Sequence, residues 1–598
     1  MAAFSIILSV ASTLFLLLLS DQIGYGITTS TSQILTSGIS NVFSRYIIFI
    51  EALVFVVGGV IVLFVILLSM DQKKKDFGLI KAIGCRNTLV LTYFVVELLI
   101  LSFVSCVIGI VLGFLSNYIF VNFSGFPVIE KSINLWFGLL VFGTYFFLSI
   151  VFGARPLIKS ANLSPVEVMS PVKYFGLIKT DVFKPISRFG VTLRIALRSL
   201  YRRQDSVLRV VFFMSVIFFL LSVSVSGGLI ASDTTNSWIN EVVSDNTIIV
   251  GKSSVCDHYE FLLSKFSNSN FFVEFDYLDP SFHIPDMTIP VLRSAIGVLD
   301  VDPRLLVIGH IEERSTFTID TETQATISVG ENREIDALIV GIESDEIVDV
   351  GYVEGRFLEP ADSWHAVIGD SISQEVFSKA LIQSLKFYNR SFSIVGVQID
   401  PINNGRVVYV PSSTLQNISG FVGFNMITAK LDSSQNREES IEFIEKLVKE
   451  VDDDLVVRDL KNVIEANTDY LSSVWSSLTI VSLFSLIPAT LCLLSYWFLF
   501  IEDQKKEFGI FRAIGVRPRI IVFISSIQDV IVLVSSWAAG TSLGISASLL
   551  ILIPDPFVTI FTVLTVLLVL ILIPLTIFFI SLIPARRLCK KPVIELLR

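Results

Sequence analysis

At 598 residues the chain is too long for one domain, and a mean hydropathy of +0.72 with 53% apolar residues excludes an ordinary soluble protein. The formal net charge of −10 is unevenly divided, because residues 232–470 hold 40 acidic and 17 basic residues, a net charge of −23, while the remainder has +13. The sequence therefore predicts one acidic soluble block within a basic membrane scaffold.

Eight apolar runs are long enough to cross a hydrocarbon layer of about 30 Å. They lie near 4–20, 46–70, 90–120, 135–157, 207–230, 471–500, 520–553 and 557–584. The first run is short, but it lacks a basic n-region, and Asp21-Gln22-Ile23 is a poor signal-peptide cleavage site. We predict a polytopic α-helical membrane protein with about eight transmembrane helices and one large extracytoplasmic α/β domain.

Basic residues set the predicted orientation in the cell membrane. The loops at 71–89, 158–206 and 501–519 and the C-terminal tail are rich in Lys and Arg, whereas the loops at 21–45 and 119–134 contain only Arg45 and Lys131. Because short basic loops stay on the cytoplasmic side, both termini are expected in the cytoplasm and residues 232–470 outside it.

Each half of the chain has one span, an external segment and three further spans, which predicts two four-helix repeats of the same orientation. The predicted domains are a first permease repeat over 1–157 with a core at about 46–157, a cytoplasmic linker over 158–206, the first helix of the second repeat over 207–231, the extracytoplasmic domain over 232–470, and three helices with a cytoplasmic tail over 471–598. Within the linker, apolar residues recur at helical spacing beside a basic face from Leu193 to Arg203, which indicates an amphipathic helix at the inner membrane surface.

The external block has mixed α/β patterns. Apolar runs closed by turn residues predict strands at 337–340, 393–397 and 406–411, and apolar residues three or four apart predict an amphipathic helix over 438–451. A further helix from Asp459 to Tyr470 is expected to continue into the sixth span.

Neither a nucleotide-binding loop nor a hydrolase or zinc-protease motif occurs in the sequence, so it does not predict an enzyme. The four histidines all lie in the external block, and only His258 is close in sequence to a cysteine, Cys256, which argues against a metal site. We expect no directly bound cofactor and no nucleic-acid partner.

One short stretch occurs twice. Residues 76–86 (DFGLIKAIGCR) return as 507–517 (EFGIFRAIGVR), with acid matching acid, base matching base and the apolar positions kept. The offset of 431 residues also aligns the pair Gly109 and Gly113 with Gly540 and Gly544. A constant offset over some eighty residues indicates an internal duplication. The glycine pairs are predicted to let membrane helices pack closely.

A basic loop that only fixes topology does not explain why Phe-Gly, Ala-Ile-Gly and the order of charges recur, whereas docking to a cytosolic partner does. We hypothesise that both loops are such docking elements, with Phe77 and Phe508 as apolar anchors.

The repeated stretch resembles the cytoplasmic E-x-G-x-x-R-A-x-G loop of the FtsX-like/MacB-like permeases, the membrane subunits of one class of ABC transporters. The positions that carry the resemblance are Asp76, Gly78, Lys81, Ala82 and Gly84 in the first copy and Glu507, Gly509, Arg512, Ala513 and Gly515 in the second. Asp76 and Lys81 are conservative departures from the family's Glu and Arg. Externally, Gly355-Arg356-Phe357-Leu358 and Val395-Gly396-Val397 resemble the family's periplasmic core domain.

The resemblance implies a mechanism and partners. A separate ATPase dimer would bind ATP and Mg²⁺ beneath the membrane and contact both loops, with two ATPase subunits per chain, and its closure would move the external domain. Such permeases export peptides, toxins or drugs, or act on lipid-linked substrates, and an extracytoplasmic adaptor or substrate protein is a further expected partner beside membrane lipids.

Two alternatives remain open from the sequence. The first is a mechanotransmitter that transports nothing and regulates a cell-wall hydrolase or a signalling partner. The second is an ion-coupled carrier, which the repeats of equal orientation and the few charges in the spans disfavour.

Overall fold

The computed structural model describes residues 2–25, 36–123, 134–162, 190–202, 204–243, 246–264, 275–319, 326–343, 352–434, 436–484, 505–552, 556–589 and 592. The chain divides into two compact units. The membrane unit comprises Met1–Ile23, Tyr46–Ile230 and Ser476–Arg598, and the external unit comprises Gly24–Arg45 and Ala231–Trp475. The external unit thus includes residues 24–45, which the sequence interpretation assigned to the first repeat.

The helices of the described residues are α1 (Ala2–Tyr25), α2 (Ser37–Ala82), α3 (Asn87–Phe123), α4 (Leu135–Asn162), α5 (Val191–Arg202), α6 (Gln204–Val242), α7 (Ser253–Ser264), α8 (Thr288–Ser294), α9 (Asp370–Glu375), α10 (Ser412–Ser419), α11 (Arg437–Val451), α12 (Lys461–Phe484), α13 (Lys505–Ala513), α14 (Pro518–Ala547) and α15 (Ile560–Cys589). One π-helical turn, Ser548–Leu552, follows α14.

The strands are β1 (Thr247–Lys252), β2 (Val298–Arg314), β3 (Thr316–Ile319), β4 (Thr326–Val329), β5 (Glu334–Ile342), β6 (Tyr352–Gly355), β7 (His365–Gly369), β8 (Ser384–Phe387), β9 (Arg390–Gln398), β10 (Val407–Pro411), β11 (Met426–Leu431) and β12 (Leu455–Asp459).

Six segments of the described helices are long and apolar enough to cross a membrane. They are Ser37–Ile66, Asn87–Asn122, Leu135–Ala154, Val207–Val242, Pro518–Leu550 and Ile560–Ile583. The predicted run at 4–20 lies in α1, where the apolar segment Ile6–Leu19 is shorter. The predicted run at 471–500 lies partly outside the described residues, so the count of eight spans stays a prediction.

The predicted amphipathic helix of the linker is α5. Ala196 and Leu200 are buried, whereas Arg194 and Arg198 are exposed on the other face. The Gln528 side-chain amide of α14 donates a hydrogen bond to the Ala196 carbonyl oxygen at 3.5 Å, so α5 packs on the second repeat.

The external unit is built on a ten-stranded mixed sheet. Nine strands follow the order β12-β1-β11-β2-β5-β10-β7-β9-β6, and β8 pairs with β2 and β9. β2 and β5 are antiparallel with Leu306 opposite Val340, and β5 and β10 are parallel. Because successive side chains point to opposite faces, Leu306 and Val307 enter two separate apolar clusters. Both faces of the central strands are therefore buried, which is why their sequences are continuous apolar runs.

The strands predicted at 337–340, 393–397 and 406–411 are β5, β9 and β10, and the predicted helix at 438–451 is α11. Ile444 and Val448 of α11 are buried against the sheet. The segment Asp459–Tyr470 leads into α12, which continues to Phe484 as expected.

Candidate functional site

The two copies of the repeated stretch form the same helix-to-turn structure. α2 ends at Ala82 and α13 ends at Ala513, and in each copy the second residue after the helix is a glycine with positive φ, +97° at Gly84 and +94° at Gly515. No heavy atom lies within 4 Å of a Cβ built at either glycine. The glycines are therefore required by the left-handed backbone and not by lack of space.

In the second copy the turn is a Schellman motif. The Gly515 N–H donates to the Arg512 carbonyl oxygen at 3.0 Å, and the Val516 N–H donates to the Phe511 carbonyl oxygen at 2.9 Å, which satisfies two carbonyls at the end of α13. Phe511 and Val516 also pack in the small apolar cluster at this turn, as is usual for the motif. Pro518 then begins α14, where a missing N–H costs nothing.

Phe508, which the sequence interpretation took as an apolar anchor for a cytosolic partner, is buried within the permease. Its side chain is only 3% exposed and packs against Ile521 of α14 in the same cluster as Phe511. The physical reason is that Phe508 lies on the face of α13 that packs on the following helix, so its ring stabilises the turn. The side chain of Phe77, its counterpart in the first copy, lies outside the described part of the chain.

A different pair of apolar side chains is exposed in both copies. Ile83 is 84% exposed and Ile514 is 75% exposed, and one helical turn earlier Leu79 and Ile510 are each about half exposed. Residues four apart lie on the same face of a helix. The sequence offset of 431 residues aligns Leu79 with Ile510 and Ile83 with Ile514. Each copy therefore has one apolar face of two residues, Leu79 and Ile83 in the first copy and Ile510 and Ile514 in the second, which we call the exposed pair.

The other predicted loop residues lie around the exposed pair. Ala82 and Ala513 are exposed, Arg512 is half-buried and Gly509 is buried. The backbones of Asp76, Gly78, Lys81 and Glu507 lie in α2 and α13, and the side chains at these positions lie outside the described part.

The two glycine pairs make equivalent contacts in the two repeats. A Cβ at Gly109 of α3 would lie 2.9 Å from the Ile7 carbonyl oxygen of α1, and a Cβ at Gly540 of α14 would lie 2.4 Å from the Ser215 carbonyl oxygen of α6. Gly113 and Gly544 lie against the next turn of α1 and α6 in the same way, beside Leu14 and Ser222. The third helix of each repeat therefore packs on the first helix of that repeat at its glycines.

Two histidines of the external unit make contacts within that unit. His258 stacks on Phe275, and its Nδ1 lies 2.7 Å from the Tyr277 hydroxyl. The exposed His310 contacts the carboxylates of Glu334 and Asp336, each at 2.9 Å, and these hydrogen bonds raise its pKa. Among the described residues no group of three or more His, Cys, Asp or Glu side chains could hold a metal ion.

Sequence reasoning identified the repeated stretch but missed the exposed pair. The available signal was the recurrence of two apolar residues at helical spacing just before each repeated glycine. That signal is weaker than the neighbouring Phe, because an aromatic residue is the more usual interface anchor.

Two family models match the chain. The FtsX-like permease C-terminal model matches residues 48–165 and 479–593, and the MacB-like periplasmic core domain model matches residues 216–447. Both copies of the exposed pair lie within the first model's matches.

The chain is also similar to individual proteins. It is 27% identical over 122 residues to the macrolide export ATP-binding/permease protein MacB of Campylobacter jejuni, which covers 20% of this chain and 19% of that protein. It is 28% identical over 116 residues to the uncharacterised ABC transporter permease YknZ of Bacillus subtilis, covering 19% of this chain and 28% of that protein. The match therefore spans only 19–28% of the length of these relatives.

Among solved structures, the periplasmic region of MacB from Actinobacillus actinomycetemcomitans matches with a TM-score of 0.27 and 17% identity, covering 38% of this chain and 94% of that one.

Proposed function

Because the chain belongs to the FtsX-like permease family and is a polytopic membrane protein with a MacB-like extracytoplasmic domain, we propose that it is the membrane subunit of an ABC transporter. A separate ATPase binds ATP and Mg²⁺ and hydrolyses ATP beneath the membrane. The chain couples that hydrolysis to movement of its external unit.

The observation that carries this proposal is the exposed pair, which occurs twice in one chain beside the same glycine turn. Each exposed pair is a solvent-exposed apolar face at the end of a helix, with basic residues beside it in the sequence. Such a face suits docking in a groove of a cytosolic partner. Two such faces match the two equivalent grooves of an ATPase dimer. One chain therefore engages two ATPase subunits.

Continuous helices support the transmission of movement. α2, α6 and α12 each contain residues of both units without a break in the helix. A helix resists bending over short lengths, so displacement at one end is passed along its axis. This property supports mechanical coupling that needs no continuous substrate tunnel.

The proposed topology has eight spans in two repeats of the same orientation, with both termini in the cytoplasm and residues 232–470 outside. The proposed domain organisation follows it, with repeats at 1–157 and 207–598 separated by the 158–206 linker. The proposed cargo is a peptide, a drug or a lipid-linked substrate, in line with the export named for the MacB relative. An extracytoplasmic adaptor or substrate protein would bind the external unit, and lipids surround the spans.

Copurification of the full chain from its own membranes tests the proposal. An ABC ATPase is expected to copurify, and native mass spectrometry should give one permease chain with two ATPase subunits. Two permease chains per ATPase pair would contradict the assignment of one chain to two ATPases, and the absence of any ATPase would contradict the proposed function. Copurification of a cell-wall hydrolase in place of exported cargo would favour the mechanotransmitter that transports nothing.

A further inference from the structure

The first turn of α2 is held by side chains of the external domain that lie more than 300 positions away in sequence. The Ser37 N–H donates to the Ser371 hydroxyl oxygen at 3.0 Å, and the Gly38 N–H donates to Asp370 Oδ2 at 2.5 Å. The first N–H groups of a helix have no partner within the helix. Two side chains of α9 therefore supply the missing partners of two N–H groups at the start of α2.

Thr36 completes the cap. Its hydroxyl accepts a hydrogen bond from the Ile39 N–H at 3.4 Å, as an N-cap residue does, and it also hydrogen-bonds to the Asp370 carboxyl group. One turn further on, the Asn41 side-chain amide donates to Gln374 Oε1 at 2.6 Å. We call the contact of residues 36–41 with residues 370–374 the α2 clamp.

The clamp is sterically matched, and the side chains of Asp370 and Ser371 at its centre are buried. A Cβ at Gly38 would lie 2.7 Å from Asp370 Oδ2, and a Cβ at Gly405 would lie 2.4 Å from Asp370 Oδ1. The Ser371 hydroxyl donates its proton to the Asn404 carbonyl oxygen at 2.6 Å, which leaves its lone pairs to accept from Ser37. The Asp370 side chain is buried. If these hydrogen bonds break while it stays buried, its carboxyl group cannot replace them with hydrogen bonds to water, which makes their loss costly.

The helix that begins in the clamp ends in the first exposed pair. α2 is one helix of 46 residues, and its last turn contains Leu79. A helix fastened at its first turn transmits displacement of its last turn, whereas a frayed first turn absorbs it.

We propose that Asp370 and Ser371 are positioning residues that fasten α2 to the external domain, so that movement of the first exposed pair is transmitted to that domain through α2. This inference rests on the proposed function. It assigns the first repeat, whose own external segment is short, a direct mechanical role in moving a domain that is encoded in the second repeat.

Hydrogen exchange on the full chain, copurified with its ATPase in lipid nanodiscs, tests the inference. Exchange is measured without nucleotide and with Mg-ATP and vanadate. In the wild-type complex we expect nucleotide to change the exchange of residues 36–41 and of 399–405, the segment that contacts Asp370. In Asp370→Ala, exchange at Gly38 should rise about fivefold or more, as for loss of a helix cap, and the nucleotide response of 399–405 should disappear.

Further variants separate a coupling role from a folding role. Ser371→Ala should lose most of the nucleotide response. Asp370→Asn should retain about half of it, because the amide oxygen of asparagine still accepts hydrogen bonds. Asp432→Ala removes a loop carboxylate elsewhere in the domain and should retain all of the response. Exchange in β5 reports the fold. If the Asp370→Ala variant also exchanges fast in β5, its fold is disturbed and the Gly38→Ala variant tests the coupling role in its place. Gly143→Ala is the control for that variant, because no atom lies within 4 Å of a Cβ built at Gly143.

The outcomes distinguish the inference from the proposed function. A full nucleotide response of 399–405 in variants whose α2 first turn exchanges fast would overturn the coupling role of the clamp and leave the proposed function intact. A wild-type complex that binds the ATPase and hydrolyses ATP without any nucleotide response in the external domain would instead overturn the proposed function.

Discussion

Phe43 of α2 stacks on Trp475 of α12, with ring centroids 4.0 Å apart and ring planes inclined by 17°. The Trp475 indole N–H also donates to the Thr235 hydroxyl oxygen of α6 at 3.0 Å. Both rings are fully buried, so one aromatic pair joins three helices of the external unit. Stacked aromatic pairs contribute about 0.5–1.5 kcal/mol beyond the burial of their area.

Truncating Trp475 should therefore destabilise the external unit strongly. We expect Trp475→Ala to lower the free energy of unfolding by about 3–5 kcal/mol, as for other buried aromatic residues. Trp475→Phe keeps the stacking and loses the hydrogen bond to Thr235, so it should cost about 1 kcal/mol. Thermal unfolding of the purified full chain measures the loss of stability in both variants. Trp364→Ala is the control, because the Trp364 side chain is partly exposed. Equal losses for the Trp475→Ala and Trp364→Ala variants would contradict a structural role for the stack.

The sequence predicted local structure well and distant contacts poorly. The duplication identified Gly84 and Gly515, because a turn is encoded by neighbouring residues. It did not identify the burial of Phe508, since that depends on how α14 folds back on α13. The contact of Asp370 with Gly38 spans 332 positions, and no periodicity within either segment encodes it.

The same limit applies to the sheet. The strands β5, β9 and β10 were visible as apolar runs. Their order was not, because pairing such as that of Ile248 with Asp459 is set by packing across the whole domain. The glycine pairs were visible as a spacing, and their partners on α1 and α6 were not.

The buried Asp370 should give the external domain a pH-dependent stability. Burial, with a smaller contribution from the nearby Asp400 carboxyl group and against opposing hydrogen bonds from Thr36 and Gly38, raises its pKa to about 7. Because the folded pKa exceeds the unfolded value of about 3.9, this stabilising contribution is complete below about pH 4 and is lost as the pH rises through about 7. Asp370→Asn should remove this part of the slope, of the order of 4 kcal/mol between pH 4 and 8.

Thermal unfolding of the full chain at several pH values measures the slope, and Asp452→Asn is its control. The Lys252 ammonium group donates to the Asp452 carboxylate at 2.7 Å and lowers its pKa, so its contribution is lost only as the pH falls below about 4. Asp452→Asn should therefore destabilise the domain equally at every pH from 5 to 8. An unchanged pH slope in Asp370→Asn would show that Asp370 does not titrate in this range.

The glycine contacts should respond to a single methyl group. Gly540→Ala places a Cβ 2.4 Å from the Ser215 carbonyl oxygen and 2.7 Å from Phe218 Cβ, so α14 and α6 must separate. Overpacking of this kind costs about 1–3 kcal/mol, and we expect a lower melting temperature of the detergent-solubilised chain. Gly143→Ala has open space around its Cβ and should be neutral or slightly stabilising, because alanine is the better helix former. The same loss in both variants would indicate a general intolerance of helix substitutions.

The exposed pairs should control assembly with the ATPase. A charge in an apolar groove is buried without a partner, so Ile83→Asp and Ile514→Asp should each weaken ATPase binding by about 2 kcal/mol or more, roughly thirtyfold. Together they should abolish copurification of the ATPase and leave expression and membrane insertion unchanged, since both side chains are in solvent in the permease alone. Val422→Asp, at an 82% exposed position of the external unit, is the matched control and should bind the ATPase normally.

Phe508→Ala should behave differently from the aspartate variants. Because the Phe508 ring packs on Ile521, its loss should lower the melting temperature of the permease alone. If the double aspartate variant still retains the ATPase with unchanged affinity, the exposed pairs are not the docking faces. The two turns would then serve only to join consecutive membrane helices.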